Sequence, residues 1–371
     1  MCYLEYIQIV RTQTASIQPS AKLVLTAISD YQLHKQRDRQ QRYAREGGLW
    51  WSDQLQRWMV SDPTLIAAVL RSSSFAGHSY DVSAVMDRFG IDLLHLEQLS
   101  AQFPLAFEGE RHRALRKKFS AEIAVNTTLA LGAFDKEIMG RAEALLVAGH
   151  RFCAMQDLLA PGTLAAVMRL AGLGIAPVAG LQMIPLLFDD TISLNKRLQI
   201  NAVIDTLYTA IGDGMPADEK YFRIAIVALS ANTLLGSLGE SLAQVLGQNR
   251  GIALSEISFD HDFPATGLPL IEKRASADVT IGGREIKKGD RLRLFLDSAG
   301  LGPAASPAFS ELYFAAGKHK CPGMSFSRRC WKLLASQLAR SRLELRLVTA
   351  RHRKGDNVFN FAETIEVSVH E

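Results

Sequence analysis

The most chemically loaded stretch of the chain is a loop that holds one cysteine between two glycines. Phe314-Ala315-Ala316-Gly317-Lys318-His319-Lys320-Cys321-Pro322-Gly323 sets the thiol just before an apolar, basic run from Met324 to Leu338. That run reads as a helix, and a thiol at its N-terminus meets peptide N–H groups and a helix dipole that favour the thiolate. A thiolate is the form of cysteine that ligates metals. Gly317 and Gly323 let the backbone pass close to something flat and bulky, because a Cβ at either point would collide. The competing reading is a buried packing cysteine, the commoner fate of a single Cys. Two further groups carry side chains with chemistry. His112 and Arg116, within Glu108-Gly109-Glu110-Arg111-His112-Arg113-Ala114-Leu115-Arg116, lie four apart and so share one helix face. Standing alone, that spacing reads as a solvated basic helix. Ala228-Leu229-Ser230-Ala231-Asn232-Thr233 places an amide and two alcohols inside a long apolar run.

The elements that must position these groups are mainly helical. Ala21 to Arg45 reads as one or two polar amphipathic helices ending at Gly47-Gly48. Trp58-Met59-Val60 reads as a strand, and Ser61-Asp62-Pro63 as a helix start with Pro in its first turn. Leu65 to Leu70 continues that helix, and Phe75-Ala76 ends it. Leu170 to Phe188 is apolar enough to raise a membrane span, but Gly172, Gly174, Pro177, Gly180 and Pro185 break it into a buried helix end, a turn and another helix. Tyr221 to Gln248 is compatible with one long helix whose apolar residues cover more than one face, the mark of a buried central helix. Asp278 to Gly283 and Lys288-Gly289-Asp290 punctuate a β-hairpin with the alternation of half-buried strands.

The cysteine loop closely resembles that of the cytochrome P-450 superfamily, Phe-x-x-Gly-x-x-x-Cys-x-Gly, including the basic His two residues before the Cys. The resemblance extends to the Trp-bearing strand, the short helix ending in Ala68-Val69-Leu70 and the following Ser74-Phe75. It continues through His112-x-x-x-Arg116 and the series Asp278-Val279-Thr280-Ile281-Gly282-Gly283 with Lys288-Gly289-Asp290. It implies a fold that is mainly α with small β-sheets (α+β), a single haem domain over 1–371. Haem would lie between the long central helix and the helix after the cysteine loop. The implied cofactor is haem b (iron-protoporphyrin IX), with Cys321 as the axial iron ligand that pushes electron density onto the metal. Phe314, Gly317, His319 and Gly323 complete the loop's side of that site, and His112, Arg116, Arg274 and His319 hold the propionates. The segment from Gly77 to Phe107 would cap the distal side, where Phe89, Ile91, Leu93, Leu94 and Phe103 are either pocket liners or plain core.

Two departures from the family's pattern stand out. The acid-alcohol pair that delivers protons in the family falls here on Ala231 and on Asn232 or Thr233, depending on register. Thr233, before Asn232, is the residue expected to face the distal side. The Glu-x-x-Arg motif appears only as Glu256-Ile257-Ser258-Phe259, and the stretch from Leu301 to Tyr313 is shorter than the family's. The resemblance implies a haem-dependent monooxygenase acting on a small organic molecule in specialised metabolism, with electrons from a ferredoxin- or flavodoxin-type donor. A basic set (Arg111, Arg113, Lys117 and Lys118, with Lys318, Lys320, Arg328, Arg329 and Lys332 near the loop) would steer that acidic donor. The departures keep open a peroxide-driven, isomerase or dehydratase chemistry, and a non-catalytic helper.

Bulk properties narrow the field. The 371 residues are 48% hydrophobic and 22% charged, within the range of globular proteins, and no linker or repeat divides them. A net charge of +4 is too mild to argue for nucleic acid, and none is expected as a partner. Cys2, Cys153, Cys321 and Cys330 are scattered, which fits a reducing compartment and no disulfide framework. Met1 to Val10 lacks the features of a signal peptide, so the expectation is a cytoplasmic protein with no membrane partner. Cys330, nine residues after Cys321, falls on the opposite helix face and is expected only to pack.

Overall fold

Asp62 and Pro63 start the first helix as their side chains dictate. The Asp62 carboxylate accepts from the Leu65 N–H at 2.8 Å, and Pro63 occupies a first-turn position where no N–H is needed. The computed structural model describes residues 47–53, 55–77, 82–188, 192–259, 262–296, 307–352, 359 and 361–370. The helices expected over residues 21–45 lie outside the described residues, as does part of the shortened stretch from Leu301.

In chain order the strands and helices are β1 (Leu49–Ser52), β2 (Arg57–Val60), α1 (Pro63–Arg71), β3 (Phe75–Gly77), α2 (Val82–Phe89) and α3 (Leu94–Ser100). They continue with α4 (Gly109–Ala148), β4 (Phe152–Cys153), α5 (Ala160–Leu170), α6 (Leu194–Ile211) and α7 (Ala217–Gln248). The C-terminal part adds β5 (Leu270–Ala275), β6 (Val279–Ile281), β7 (Arg284–Ile286), β8 (Arg291–Phe295), α8 (Met324–Leu338), β9 (Glu344–His352) and β10 (Ala362–His370). The architecture is mainly α with small sheets, as the sequence implies. The expected break after Leu170 is present: α5 ends there, and a 3₁₀ helix runs from Leu181 to Phe188.

Helix α7 is apolar around its circumference because it runs through the largest core. Ile224, Val227, Ala228, Leu234, Leu238, Leu242 and Leu246 are all buried. Among the described residues it is long and apolar enough to cross a membrane, but 67% of its most apolar window is buried within the protein, as expected of a core helix. Gly236 lets the backbone at Gly267 approach so closely that a Cβ on Gly267 would lie 2.4 Å from the Gly236 carbonyl carbon. This contact brings the chain before β5 against the helix.

The five-stranded sheet runs β1-β2-β8-β5-β3, with β2 and β8 parallel and the other pairs antiparallel. Register sets Met59, Arg293 and Glu272 side by side across β2, β8 and β5. One face of this sheet packs on α1 through Val60, Ile66, Leu70, Leu292 and Leu294. The other carries a small cluster of Trp50, Met59, Leu270 and Phe295.

Helix α8 holds the cysteine loop against the large core through Trp331, Cys330 and Leu334. Glu256 sits in a short 3₁₀ turn, and Phe259 packs edge-on to Trp331 with ring centroids 6.2 Å apart. The work of an ion-pair anchor falls elsewhere: Arg328 grips Asp262 with two parallel hydrogen bonds, Nε to Oδ1 at 2.9 Å and Nη2 to Oδ2 at 2.5 Å. Two parallel bonds fix both distance and plane, so this pair can orient the start of α8.

Candidate functional site

A cavity of about 340 Å³ opens between α4, α7, β5 and the cysteine loop. Helix α7 contributes Leu229, Thr233, Leu234 and Ser237, and α4 contributes Arg116 and Phe119. Its loop wall is Phe314, Ala315, His319, Cys321 and Pro322.

The loop is closed by its own backbone. The Cys321 N–H donates to the Phe314 carbonyl at 2.7 Å, and Ala315 takes the left-handed φ of 57°, a conformation that costs about 1 kcal/mol or more outside glycine. Gly317 is also left-handed, at 65°, and a Cβ there would lie 2.5 Å from the Leu70 carbonyl oxygen. Its missing side chain therefore seats the loop on the end of α1, so the close approach is to protein backbone. Gly323 differs from expectation. Its φ of −86° suits any residue, and a Cβ would meet only Cys321 Sγ at an ordinary 3.8 Å. Its contribution is the peptide N–H, which together with that of Met324 pulls the Cys321 thiol down.

Cys321 is exposed, and it lines the cavity. Desolvation pushes the thiol above its ordinary value, against the downward pull of the Gly323 and Met324 N–H groups and of the Arg116 guanidinium. Burial thus outweighs the helix terminus, and the free thiol stays protonated. A bound metal cation reverses this balance, because coordination deprotonates a thiol outright. Among the described residues no three His, Cys, Asp or Glu side chains are grouped to hold a bare metal ion. Cys321 is a lone thiolate donor, the set required by a cofactor that carries its other ligands with it.

The polar end of the site is built from α4, β5 and the loop. His112 and His319 are each only 5% exposed, with ring centroids 4.5 Å apart. His319 Nε2 lies 3.3 Å from Glu108 Oε1, and Lys318 Nζ 2.5 Å from Glu108 Oε2. Burial pulls His319 down to about 4, with Lys273 and His112 adding to the pull and Glu108 opposing it. Burial also lowers His112, against Glu108. Lys273 on β5 is buried and pulled down to about 8, chiefly by desolvation. His112 Nε2 and His319 Nδ1 are buried without a hydrogen-bond partner. Two orphaned ring nitrogens beside an uncompensated lysine form a cradle for carboxylates. With the lone thiolate donor and apolar walls, these residues fit a haem bearing two propionates.

Arg274 does not belong to this cradle. It is exposed, and its Nε donates to the Gly289 carbonyl at 3.3 Å. Lys273, one residue earlier, lines the cavity instead. Asn232 is likewise misplaced for proton delivery: it is buried, and its Nδ2 donates to the Gln182 carbonyl at 3.0 Å. Thr233 lines the cavity, with its hydroxyl directed back to the Leu229 and Ser230 carbonyls at 2.8 and 3.0 Å. Phe89 and Leu94 are exposed, and Leu93 and Phe103 are core residues packed away from the cavity. The wall away from the loop is lined by Pro104, Leu105, Phe188 and Phe359 instead, while Phe263 lies on the loop side beside Phe314, ring centroids 6.1 Å apart. Sequence reasoning also passed over Arg57, Glu272 and Arg293, which line the sheet side. Only cross-strand register brings those three together, and no local pattern announces register.

No protein-family model and no curated protein matches the chain. Solved structures do. P450BioI, solved in complex with an acyl carrier protein ligated to hexadec-9Z-enoic acid, matches with a TM-score of 0.74 at 16% identity, over 92% of this chain and 100% of that one. CalO2 matches with a TM-score of 0.73 at 16% identity, over 91% and 96%. A thermophilic cytochrome P450 from Sulfolobus tokodaii matches with a TM-score of 0.66 at 14% identity, over 90% and 99%. At such identities the likeness is one of fold. The chain has the cytochrome P-450 fold, with Cys321 in a loop on one wall of the cavity and α7 on another.

Proposed function

We propose that the chain is a member of the cytochrome P-450 superfamily, a single haem domain over 1–371 that works as a haem-thiolate monooxygenase on a small organic molecule in specialised metabolism. The observation that carries this reading is Cys321: a lone thiol on the wall of a largely apolar cavity, with the Gly323 and Met324 peptide N–H groups and Arg116 near its sulfur. Haem b would be held by Cys321, by His112 and His319 through their unpartnered ring nitrogens, and by Lys273 and Arg116. When bound, it supplies one-electron and oxygen chemistry. The protein's own part is to orient substrate against Leu229, Thr233 and Phe359, to exclude water with the aromatic wall, and to place the Thr233 hydroxyl where it can accept a proton and pass one on. Biosynthetic neighbours such as OxyB from teicoplanin biosynthesis, solved with an X-domain, support the metabolic setting. The test is the spectrum of the purified, reduced protein under carbon monoxide. A strongly red-shifted Soret band is expected, and absence of any haem band overturns the reading.

Electrons are proposed to come from a ferredoxin- or flavodoxin-type protein. Four of the basic residues expected to steer it are committed to carboxylates: Lys118 to Glu219, Lys318 to Glu108, Lys320 to Glu311 and Arg328 to Asp262. Arg113, Lys117, Arg329 and Lys332 are the better candidates for a docking patch.

One observation favours a second reading, chemistry driven by peroxide or without external electrons. The carboxylates of α7 are Asp218, Glu219 and Glu240, none of which lines the cavity, and Glu240 is spent on the Ala362 N–H and His352. Proton delivery from α7 therefore rests on two hydroxyls, Thr233 and Ser237, and Ser237 Oγ already accepts from the Gly267 N–H at 3.1 Å. Thr233→Ala should raise hydrogen peroxide released per reducing equivalent several-fold while leaving substrate affinity within about twofold, since a hydroxyl to methyl change removes one relay group but little volume. Thr233→Ser should restore coupling. Unchanged product yield per electron in Thr233→Ala would remove this residue from the relay.

A further inference from the structure

Arg57, Glu272 and Arg293 meet on one face of the five-stranded sheet, at the end of the cavity formed by β2, β5 and β8. Pairing of Met59 with Arg293 and of Glu272 with Arg293 brings the three strands into this arrangement. The side chains of Arg57, Glu272 and Arg293 are 14%, 18% and 9% exposed, and all three line the cavity. Arg57 Nη1 donates to Glu272 Oε1 at 2.8 Å, its Nε donates to the Leu55 carbonyl at 3.0 Å, and Arg293 Nε donates to that same Oε1.

A pair that exists only to stabilise the sheet would use both carboxylate oxygens in a parallel fork. Here both guanidinium groups converge on one oxygen. Glu272 Oε2 is buried without a partner, and among the described residues the terminal nitrogens of Arg293 have none. Two positive charges face one negative charge in a largely buried setting, which is costly unless a further anion completes the cluster. Burial pulls the Arg57 guanidinium below its ordinary value, with Glu272 opposing and Arg293 adding to the pull. A bound anion would relieve that strain.

We propose that Arg57 and Arg293, oriented by Glu272, anchor the carboxylate of the substrate, so that the cavity accepts an amphipathic acid with its apolar body extended toward Cys321. A carboxylate matches the positive charge that Glu272 leaves uncompensated on the Arg57–Arg293 pair. A water held beside the carboxylate closes the bond left open at Glu272 Oε2. The proposal rests on the haem-thiolate reading for the fate of the substrate, while its binding is measured apart from turnover.

The test is calorimetric titration of the haem-loaded protein with decanoate, decanamide and decyl phosphate, which share one apolar body. Decanoate should bind about tenfold or more tightly than decanamide, the scale of hydrogen bonds to a charged group. Arg57→Gln and Arg293→Gln should each cut that preference to about threefold or less with decanamide affinity unchanged, and Arg293→Lys should recover part of it. Equal binding of decanoate and decanamide by the native protein overturns the anchor, as does an undiminished preference in both glutamine variants. Tighter binding of decyl phosphate overturns the charge match. Arg57 lies nearer the surface, so Arg57→Gln keeps the test open should Arg293→Gln fail to fold. The carbon monoxide spectrum of each preparation separates the two levels: an intact band without acid preference removes only the anchor, and a missing band in the native protein removes the haem-thiolate reading.

Discussion

Cys321→Ala should abolish the red-shifted Soret band and most haem retention, whereas Cys330→Ala should keep both. The two thiols sit nine residues apart in environments that differ in kind. Cys321 lines the cavity, and the N–H groups of Gly323 and Met324 pull its thiol down. Cys330 is fully buried among the residues of the large core, where desolvation drives its thiol far above the ordinary range. Such a thiol neither ionises nor reaches a cofactor, so its loss removes packing only, at a cost of about 1 kcal/mol. Loss of Cys321 leaves the metal without its protein ligand. Measuring haem content per chain and the carbon monoxide spectrum of both variants settles the matter. An unchanged red-shifted band in Cys321→Ala would mean that another residue is the ligand.

What the sequence makes legible here is set by how local each physical cause is. The cysteine loop, the Asp62-Pro63 helix start and the buried run of α7 are dictated within a turn or two, by caps, glycine conformation and apolar periodicity, and each appears where expected. Lys273 and Arg274 show where such reasoning stops. Both are basic and adjacent, so the choice between them depends on where along β5 the cavity wall ends, and pairing with β8 and β3 decides that. Asn232 and Thr233 pose the same problem on a helix, where one residue is a rotation of 100°. The Gln182 carbonyl claims the first and leaves the second to the cavity. The Arg57, Glu272 and Arg293 cluster is assembled from three separate strands. It is the least local of the features and was invisible in the sequence.

Lys273→Met should weaken haem retention about tenfold or more and at the same time make the haem-free protein more stable, while Arg274→Met should change neither. The sign follows from where the two side chains point. Lys273 is 5% exposed, and its ammonium is pulled from 10.5 down to about 8, mostly by desolvation. A lysine whose folded value is depressed contributes full stability above its unfolded value, near 10.5, and loses it as pH falls through about 8. At neutral pH the haem-free protein therefore carries a penalty on the order of 3 kcal/mol, from about 2.5 units at 1.36 kcal/mol each. Methionine keeps much of the volume and removes that penalty, so the melting temperature of the haem-free protein should rise at pH 7 by several degrees. It should rise little at pH 10, where the lysine is already neutral in the folded state. Haem reverses the balance, because a propionate beside Lys273 restores its charged form. Binding then takes up a proton whenever the free lysine is neutral, so haem affinity should fall as pH rises above about 8, and Lys273→Met should flatten that fall. Arg274 is exposed and bonded to the Gly289 carbonyl, so neither its stability nor its haem curve should move. Haem transfer to apomyoglobin measured from pH 7 to 10, alongside melting of the haem-free proteins, reads both effects. A pH-independent native affinity, or a Lys273→Met protein that melts lower at pH 7, would show that Lys273 serves the sheet and has no part in holding haem.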